Sequence, residues 1–228
     1  SAANILAKTA DQKAIAALAY LLNDADPKTV AIAKDALSAT NGDIASAVVP
    51  VIAGANAAGK VAGLQLLAER KSSANIATVL EQINSTSPDV QTAAYTALKD
   101  VVSAENLNQL YALLESASSE NVPYVQQAIA SALQSYSNEK QYDVIMARMG
   151  QVSNDKQYLY YPVLSKTGDE KALSFIVDRF NKESGMVKDA AFQALSDWKD
   201  IDAAAELLAI CKNRADILYF DRAINRYI

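Results

Sequence analysis

The stretch VQTAAYTAL, from Val90 to Leu98, returns as VKDAAFQAL from Val187 to Leu195. Five of the nine positions are identical, and a sixth pairs Tyr95 with Phe192. The copies start 97 positions apart, too far for one helix and close to three steps of about 32. A simple ruler connects them to the rest of the chain. Pro27, Pro88 and Pro123 each stand ten residues before a leucine, at Leu37, Leu98 and Leu133. The same ruler lands on Leu67, Leu164 and Leu195, and less strongly on Ile224, with successive steps of 30, 31, 35, 31, 31 and 29. A period of this length signals stacked supersecondary units, each able to bury its apolar face only against its neighbours.

Within each unit, the second, fifth, sixth, ninth and tenth residues after the ruler's start are mostly apolar. In the third unit these are Val90, Ala93, Ala94, Ala97 and Leu98, and in the sixth Val187, Ala190, Ala191, Ala194 and Leu195. At about 100° per residue they form one helical stripe. Proline at the front suits a first helical turn, where its missing N–H costs little, and Asp26 and Ser87 stand before it as N-caps. A second apolar-periodic segment precedes each such helix, as in AIAALAYLL (14–22), IATVLEQI (76–83), LNQLYALLE (107–115), ALSFIVDRF (172–180) and AAAELLAIC (203–211). Polar turns such as NDAD and NSTS separate the two. No segment alternates as a strand would. The chain therefore reads as helix–turn–helix seven times over, with second helices at 28–39, 57–70, 88–101, 123–136, 154–166, 185–198 and 215–227. Composition agrees, since alanine dominates the apolar half and only seven glycines and five prolines occur in 228 residues.

DPKTVAIAKDAL, SPDVQTAAYTAL, VPYVQQAIASAL and GMVKDAAFQAL resemble the second helix of HEAT repeats, including the HEAT-like class common in bacteria. The resemblance covers nearly the whole chain and is weaker in the second, fifth and seventh units. The basic residue that often follows the first valine of that helix is replaced by Gln91 and Gln126. Tetratricopeptide repeats are similar in length, but their tryptophan–leucine–glycine signature is missing. The expected fold is thus all-α, a right-handed α-solenoid of about seven HEAT-like hairpins forming a single repeat domain over 1–228.

Local irregularities carry their own expectations. Pro50 and Pro162 fall inside expected helices and should kink or break them. Gly59 and Gly63 share one helical face, which indicates close approach of a neighbouring helix. Asn23–Asp26 lacks the glycine and distal glutamate of a calcium loop and reads as a capping turn. Asp169 and Glu170 lie at a helix start, where negative charge complements the dipole.

Several function classes are excluded or weakened. A formal charge of −5 without a basic block opposes nucleic-acid binding. The chain has no histidine, which removes the usual general base and the commonest metal ligand. Its one cysteine, Cys211, lies in an apolar pattern that reads as a buried, inert thiol and permits no internal disulfide. No apolar run reaches transmembrane length. The HEAT resemblance admits two enzymatic precedents, DNA-base glycosylases and bilin lyases; the first needs a basic groove and the second an acid/base constellation, and neither is visible. The expectation is a protein without catalytic activity, cofactor or metal.

The first and last helices lack polar capping faces. ILYFDRAINRYI carries Ile217, Leu218, Tyr219, Phe220, Ile224, Tyr227 and Ile228, so another domain, another repeat or self-association is expected to cover these ends. The chain accordingly reads as a module of a larger protein. Repeats of this Ala-, Ser-, Asn- and Tyr-rich flavour resemble those fused to carbohydrate-processing domains in exported bacterial proteins. That resemblance implies an accessory or spacer role as the alternative function, and favours a periplasmic or extracellular location over a cytoplasmic one.

The leading expectation is a scaffold that binds a peptide or protein domain. In HEAT stacks the second helices line the concave face, which the resemblance extends to this chain. Tyr95, Tyr161 and Phe192 share the slot seven residues after the ruler's start, at the edge of the buried stripe, and Tyr158 precedes Tyr161 by three. With Gln126, Gln157, Lys188 and Gln193 beside them, they form the expected recognition ridge: apolar area flanked by amide and amine donors. Tyr160, in the slot of Ala94 and Ala191, should be core.

Overall fold

The structure is a computed structural model that describes residues 11–212 and 217–227. Among these residues there are fourteen α-helices and no β-strand. In chain order the helices are α1 (Gln12–Tyr20), α2 (Pro27–Ser38), α3 (Ala45–Ile52), α4 (Ala57–Glu69), α5 (Ile76–Gln82), α6 (Pro88–Val101), α7 (Leu107–Ser116), α8 (Val122–Leu133), α9 (Asn138–Met149), α10 (Tyr161–Leu164), α11 (Glu170–Lys182), α12 (Gly185–Ser196), α13 (Ala204–Lys212) and α14 (Ile217–Tyr227). Among the described residues, helices pack against their near neighbours in chain order. The seventh second helix was expected from 215, and its first two positions lie outside the described residues. Contacts group the chain into two compact units, Ser1–Asn106 and Leu107–Ile228, where the sequence reading treated it as one array.

In the first unit, α1/α2, α3/α4 and α5/α6 are the hairpins, and α2, α4 and α6 pack side by side in that order. Local chemistry starts each second helix. The Asp26 carboxylate accepts from the Lys28 N–H at 3.0 Å with Pro27 in the first turn. Asn56 Oδ1 accepts from the Gly59 N–H at 3.0 Å while its Nδ2 donates to the Asp24 carbonyl at 2.8 Å, tying the second hairpin to the first. Ser87 occupies the cap position of α6, but its side chain makes no capping bond. The stripe residues Leu37, Leu67 and Leu98 are wholly buried. A Cβ on Gly59 would collide with the Leu22 carbonyl oxygen, and one on Gly63 would lie 2.5 Å from Ile52 Cγ1. Both glycines therefore permit close helix approach, as their spacing indicates. Arg70 closes the opposite end, its Nη2 donating to the carbonyls of Leu37 and Ser38 at 3.1 Å each and also to that of Thr40. It thereby caps α2 from the next hairpin.

In the second unit, α7/α8, α9/α10, α11/α12 and α13/α14 are the hairpins, and α8, α10, α12 and α14 pack successively. The two prolines behave differently. Pro50 sits inside α3, two residues before its end, exposed to solvent. Pro162 falls in the first turn of α10, and residues Asn154–Tyr160 before it form a 3-10 helix. The expected helix 154–166 is therefore broken, because the proline ring has no N–H to give and cannot follow a regular α turn. Asp169 caps α11, accepting from the N–H groups of Lys171 and Ala172. Cys211 is half-buried rather than core, since α13 turns it toward the edge of its apolar face. The side chains of Ile217, Leu218 and Tyr227, and Ile228 itself, belong to the expected apolar end of the chain and lie outside the described residues.

Candidate functional site

The expected ridge does not form as an exposed surface. Tyr95, Tyr161 and Phe192 are 5%, 2% and 2% exposed. Their common slot lies at the flank of the stripe, and the stacking of hairpins covers that flank. Tyr161 meets Phe175 edge-on at 5.9 Å between ring centroids. Phe192 packs on Phe180 at 6.1 Å and on Tyr219 at 5.2 Å, so α11 and α14 both contribute to its enclosure. Burial also pushes the Tyr161 phenol above its ordinary pKa. Tyr158 alone of the four stays half-exposed. Tyr160 is buried, as its slot requires.

The polar members of the expected ridge mostly serve the backbone. Gln126 Nε2 donates to the Leu159 carbonyl at 2.7 Å, and Gln157 Nε2 to the Met149 carbonyl at 3.1 Å. Gln91, in the same slot, donates to the Ile83 carbonyl at 2.9 Å. These amides satisfy carbonyls at the ends of neighbouring elements, where helices leave them without partners. Lys188 Nζ lies over the rings of Phe180 and Tyr219 at 4.8 and 5.1 Å, and Arg222 covers Phe192 at 4.7 Å. Structure thus brings Lys188 and Phe192 together, on a shared aromatic cluster whose role is packing. Gln193 remains exposed and donates to Asp197 at 2.5 Å.

A different surface is open. In the first unit, α2, α4 and α6 together line a groove of about 850 Å³. Its central positions are four and eight residues after the ruler's start: Ala31, Val61 and Thr92, then Asp35, Gln65 and Thr96. These slots lie opposite the buried stripe, so they face solvent while the hairpins pack behind them. Alanines 58, 62, 93 and 97 widen the floor by keeping side chains short. Asp35, Asp89 and Asp100 stand around it, with Lys34 as the lining's cation. Lys34 is already engaged, its Nζ 3.1 Å from Glu69, which also accepts from Ser38 Oγ at 2.6 Å. Burial works to raise the Glu69 pKa, but hydrogen bonds from Ser38 and Lys34 and the charges of Lys34 and Arg70 hold it below the usual carboxylate range. No large side chain marks this groove in the sequence; its signal is the short Ala31, Val61 and Thr92 on slot four of three consecutive units.

The second unit holds a tight polar cluster. Glu115 Oε1 accepts from Tyr160 Oη at 2.6 Å and from Arg148 Nη2 at 2.6 Å, and Lys156 Nζ donates to the Glu115 carbonyl at 2.9 Å. Burial would raise the Glu115 pKa, yet the bonds from Tyr160 and Arg148 and the charges of Arg148 and Lys156 keep it low. The cluster links α7, α9 and the 3-10 segment before α10, and every polar atom of Glu115 it uses is satisfied internally. It stitches these helices together through Glu115 Oε1.

No family model matches the chain, and no curated protein matches its sequence. Among the described residues, no helix is long and apolar enough to cross a membrane, and no group of three or more Cys, Asp or Glu side chains could hold a metal ion.

Proposed function

We propose that this chain is a non-catalytic interaction scaffold, a right-handed α-solenoid of HEAT-like hairpins, and that the groove over α2, α4 and α6 docks a short segment of another protein. The observation that carries the reading is the groove itself, built from equivalent outward slots of three successive second helices. Its floor of alanine, valine and threonine offers apolar contact and little obstruction, while carboxylates at its edges can orient a partner. Two interaxial steps separate α2 from α6, about 20 Å at 8–10 Å each. About six residues of extended chain span that distance. The groove's polar groups are Asp, Lys34, Gln65 and two threonines, a set with no nucleophile activated by a neighbouring base.

The test is selection of displayed random dodecapeptides against the intact chain, followed by rebinding to the double variant Thr92→Trp/Thr96→Trp. Both threonines are exposed, so the indoles fill the groove without entering the core. Selected peptides should lose at least tenfold in affinity, with unchanged circular dichroism. Peptides that bind the plugged variant equally well would refute the groove as the docking surface.

A further inference from the structure

The docking segment's chemistry can be read from the charges around the groove. We propose that the α2/α4/α6 groove selects a basic segment of a partner protein, with lysine or arginine spaced among small apolar residues; this rests on the docking reading above. Asp35 and Asp89 are exposed and Asp100 half-buried, and among the described residues none of the three takes part in an ion pair or side-chain hydrogen bond. Lys34, the one cation of the lining, is neutralised by Glu69 at 3.1 Å. The groove therefore presents three uncompensated negative charges above an apolar floor. A concave wall of low dielectric strengthens such a field relative to a flat surface.

The placement of the carboxylates decides between a point cation and a polypeptide. Asp89 and Asp100 stand at opposite ends of α6, eleven residues apart and therefore separated by about 16 Å along the axis. Asp35 projects from α2, on the far side of α4. No three acidic side chains among the described residues converge on a metal-sized position. Charges spread over such distances match several cationic side chains on one segment. The floor between them, with Ala31, Val61 and Ala93, accommodates the small apolar residues that separate those cations. An acidic or phosphorylated segment would meet like charge at all three points.

Three fluorescent dodecapeptide pools test this, matched in apolar content and differing only in carrying Lys/Arg, Gln/Ser or Asp/Glu at the remaining positions. Anisotropy is measured against the full chain at 50 and 300 mM salt. The basic pool should bind at least tenfold more tightly than the neutral pool at low salt, and the ratio should shrink at high salt. The triple variant Asp35→Asn/Asp89→Asn/Asp100→Asn should abolish that preference. A control, Glu120→Gln/Asp143→Asn/Asp221→Asn, removes the same charge from exposed positions of the second unit and should leave it intact. Loss of the preference in both triple variants would mean attraction to net charge alone and would overturn the inference. If the neutral pool binds as tightly as the basic one and Thr92→Trp/Thr96→Trp abolishes both, the charge inference falls and the docking reading stands. If the plug changes no pool's binding, both fall. A self-associating chain whose dimer is dissolved by the plug, seen by sedimentation equilibrium, would also overturn the inference in favour of a second copy as occupant.

Discussion

Tyr111 buries a hydroxyl that finds no partner among the described residues. Its ring lies 5.9 Å from that of Tyr160, with the Arg148 guanidinium 5.4 Å above its centre. Burial pushes its phenol from 10.0 up to about 12. The folded value exceeds the unfolded one, so the neutral phenol contributes fully below pH 10 and the contribution is lost as pH rises through about 12. Tyr111→Phe removes an unsatisfied polar atom and should stabilise the chain by about 1 kcal/mol at pH 7. It should also lessen the loss of stability between pH 10 and 12. Urea unfolding at pH 7, 10 and 11 measures both, and a less stable variant at pH 7 would contradict the assignment. Glu115 shows the opposite linkage. Its folded pKa lies below the ordinary value of 4.5, so its contribution is present above that pH and disappears as pH falls through the folded value. Glu115 and Arg148 side chains are 22% and 25% exposed, so solvent screening is limited. Glu115→Gln should cost about 2 kcal/mol at pH 7, and the gap to the parent chain should close in acid. Equal stability of the two at pH 7 would show that the cluster contributes nothing.

At the scale of helices, close approach depends on Gly59 and Gly63 more than on any large side chain. The atom facing a Cβ at Gly59 is the Leu22 backbone carbonyl, which cannot turn aside. At Gly63 the neighbour is the wholly buried Ile52 side chain, which can yield only by local repacking but is not fixed backbone. Gly59→Ala should therefore cost about 3 kcal/mol, at the upper end for an overpacked site. Gly63→Ala should cost about 1 kcal/mol, because alanine's better helix propensity offsets part of the clash. Thermal unfolding of both variants checks the order. A Gly59→Ala protein as stable as Gly63→Ala would mean that the helices can separate at that point without loss. Arg70 acts at the same scale, since one planar guanidinium meets three carbonyls at the end of α2 in a way that the single ammonium of lysine cannot reproduce.

At the scale of the whole chain, contacts within each unit run chiefly between neighbouring hairpins, which therefore share their stability. Leu67 is wholly buried in α4, the middle second helix of the first unit. Leu67→Ala should destabilise by about 2–5 kcal/mol. Amide hydrogen exchange should accelerate most in α2, α4 and α6, and much less in α11 and α12, whose contacts belong to the other unit. Uniform acceleration across all helices would show instead a single cooperative unit.

The periodic stripe was legible from sequence because burial repeats wherever apolar residues recur at helical spacing. Leu37, Leu67, Leu98, Leu133, Leu164 and Leu195 are all buried, at the positions the ruler marks. The glycine pair and the capping aspartates were legible too, since their chemistry acts over a few residues or demands close approach. The fate of slot seven was not. A residue at the edge of a stripe is exposed or covered according to how far the next hairpin leans over it, and only three-dimensional packing decides that. Phe175, Phe180 and Tyr219 cover Tyr161 and Phe192 from helices that lie elsewhere in the chain. The glutamines of slot three were read as free donors because nothing local reveals the carbonyls of Met149 and Leu159 that they meet. The groove required both levels. Sequence set Ala31, Val61 and Thr92 on slot four, and the side-by-side packing of α2, α4 and α6 turned three separate helix faces into one concave surface.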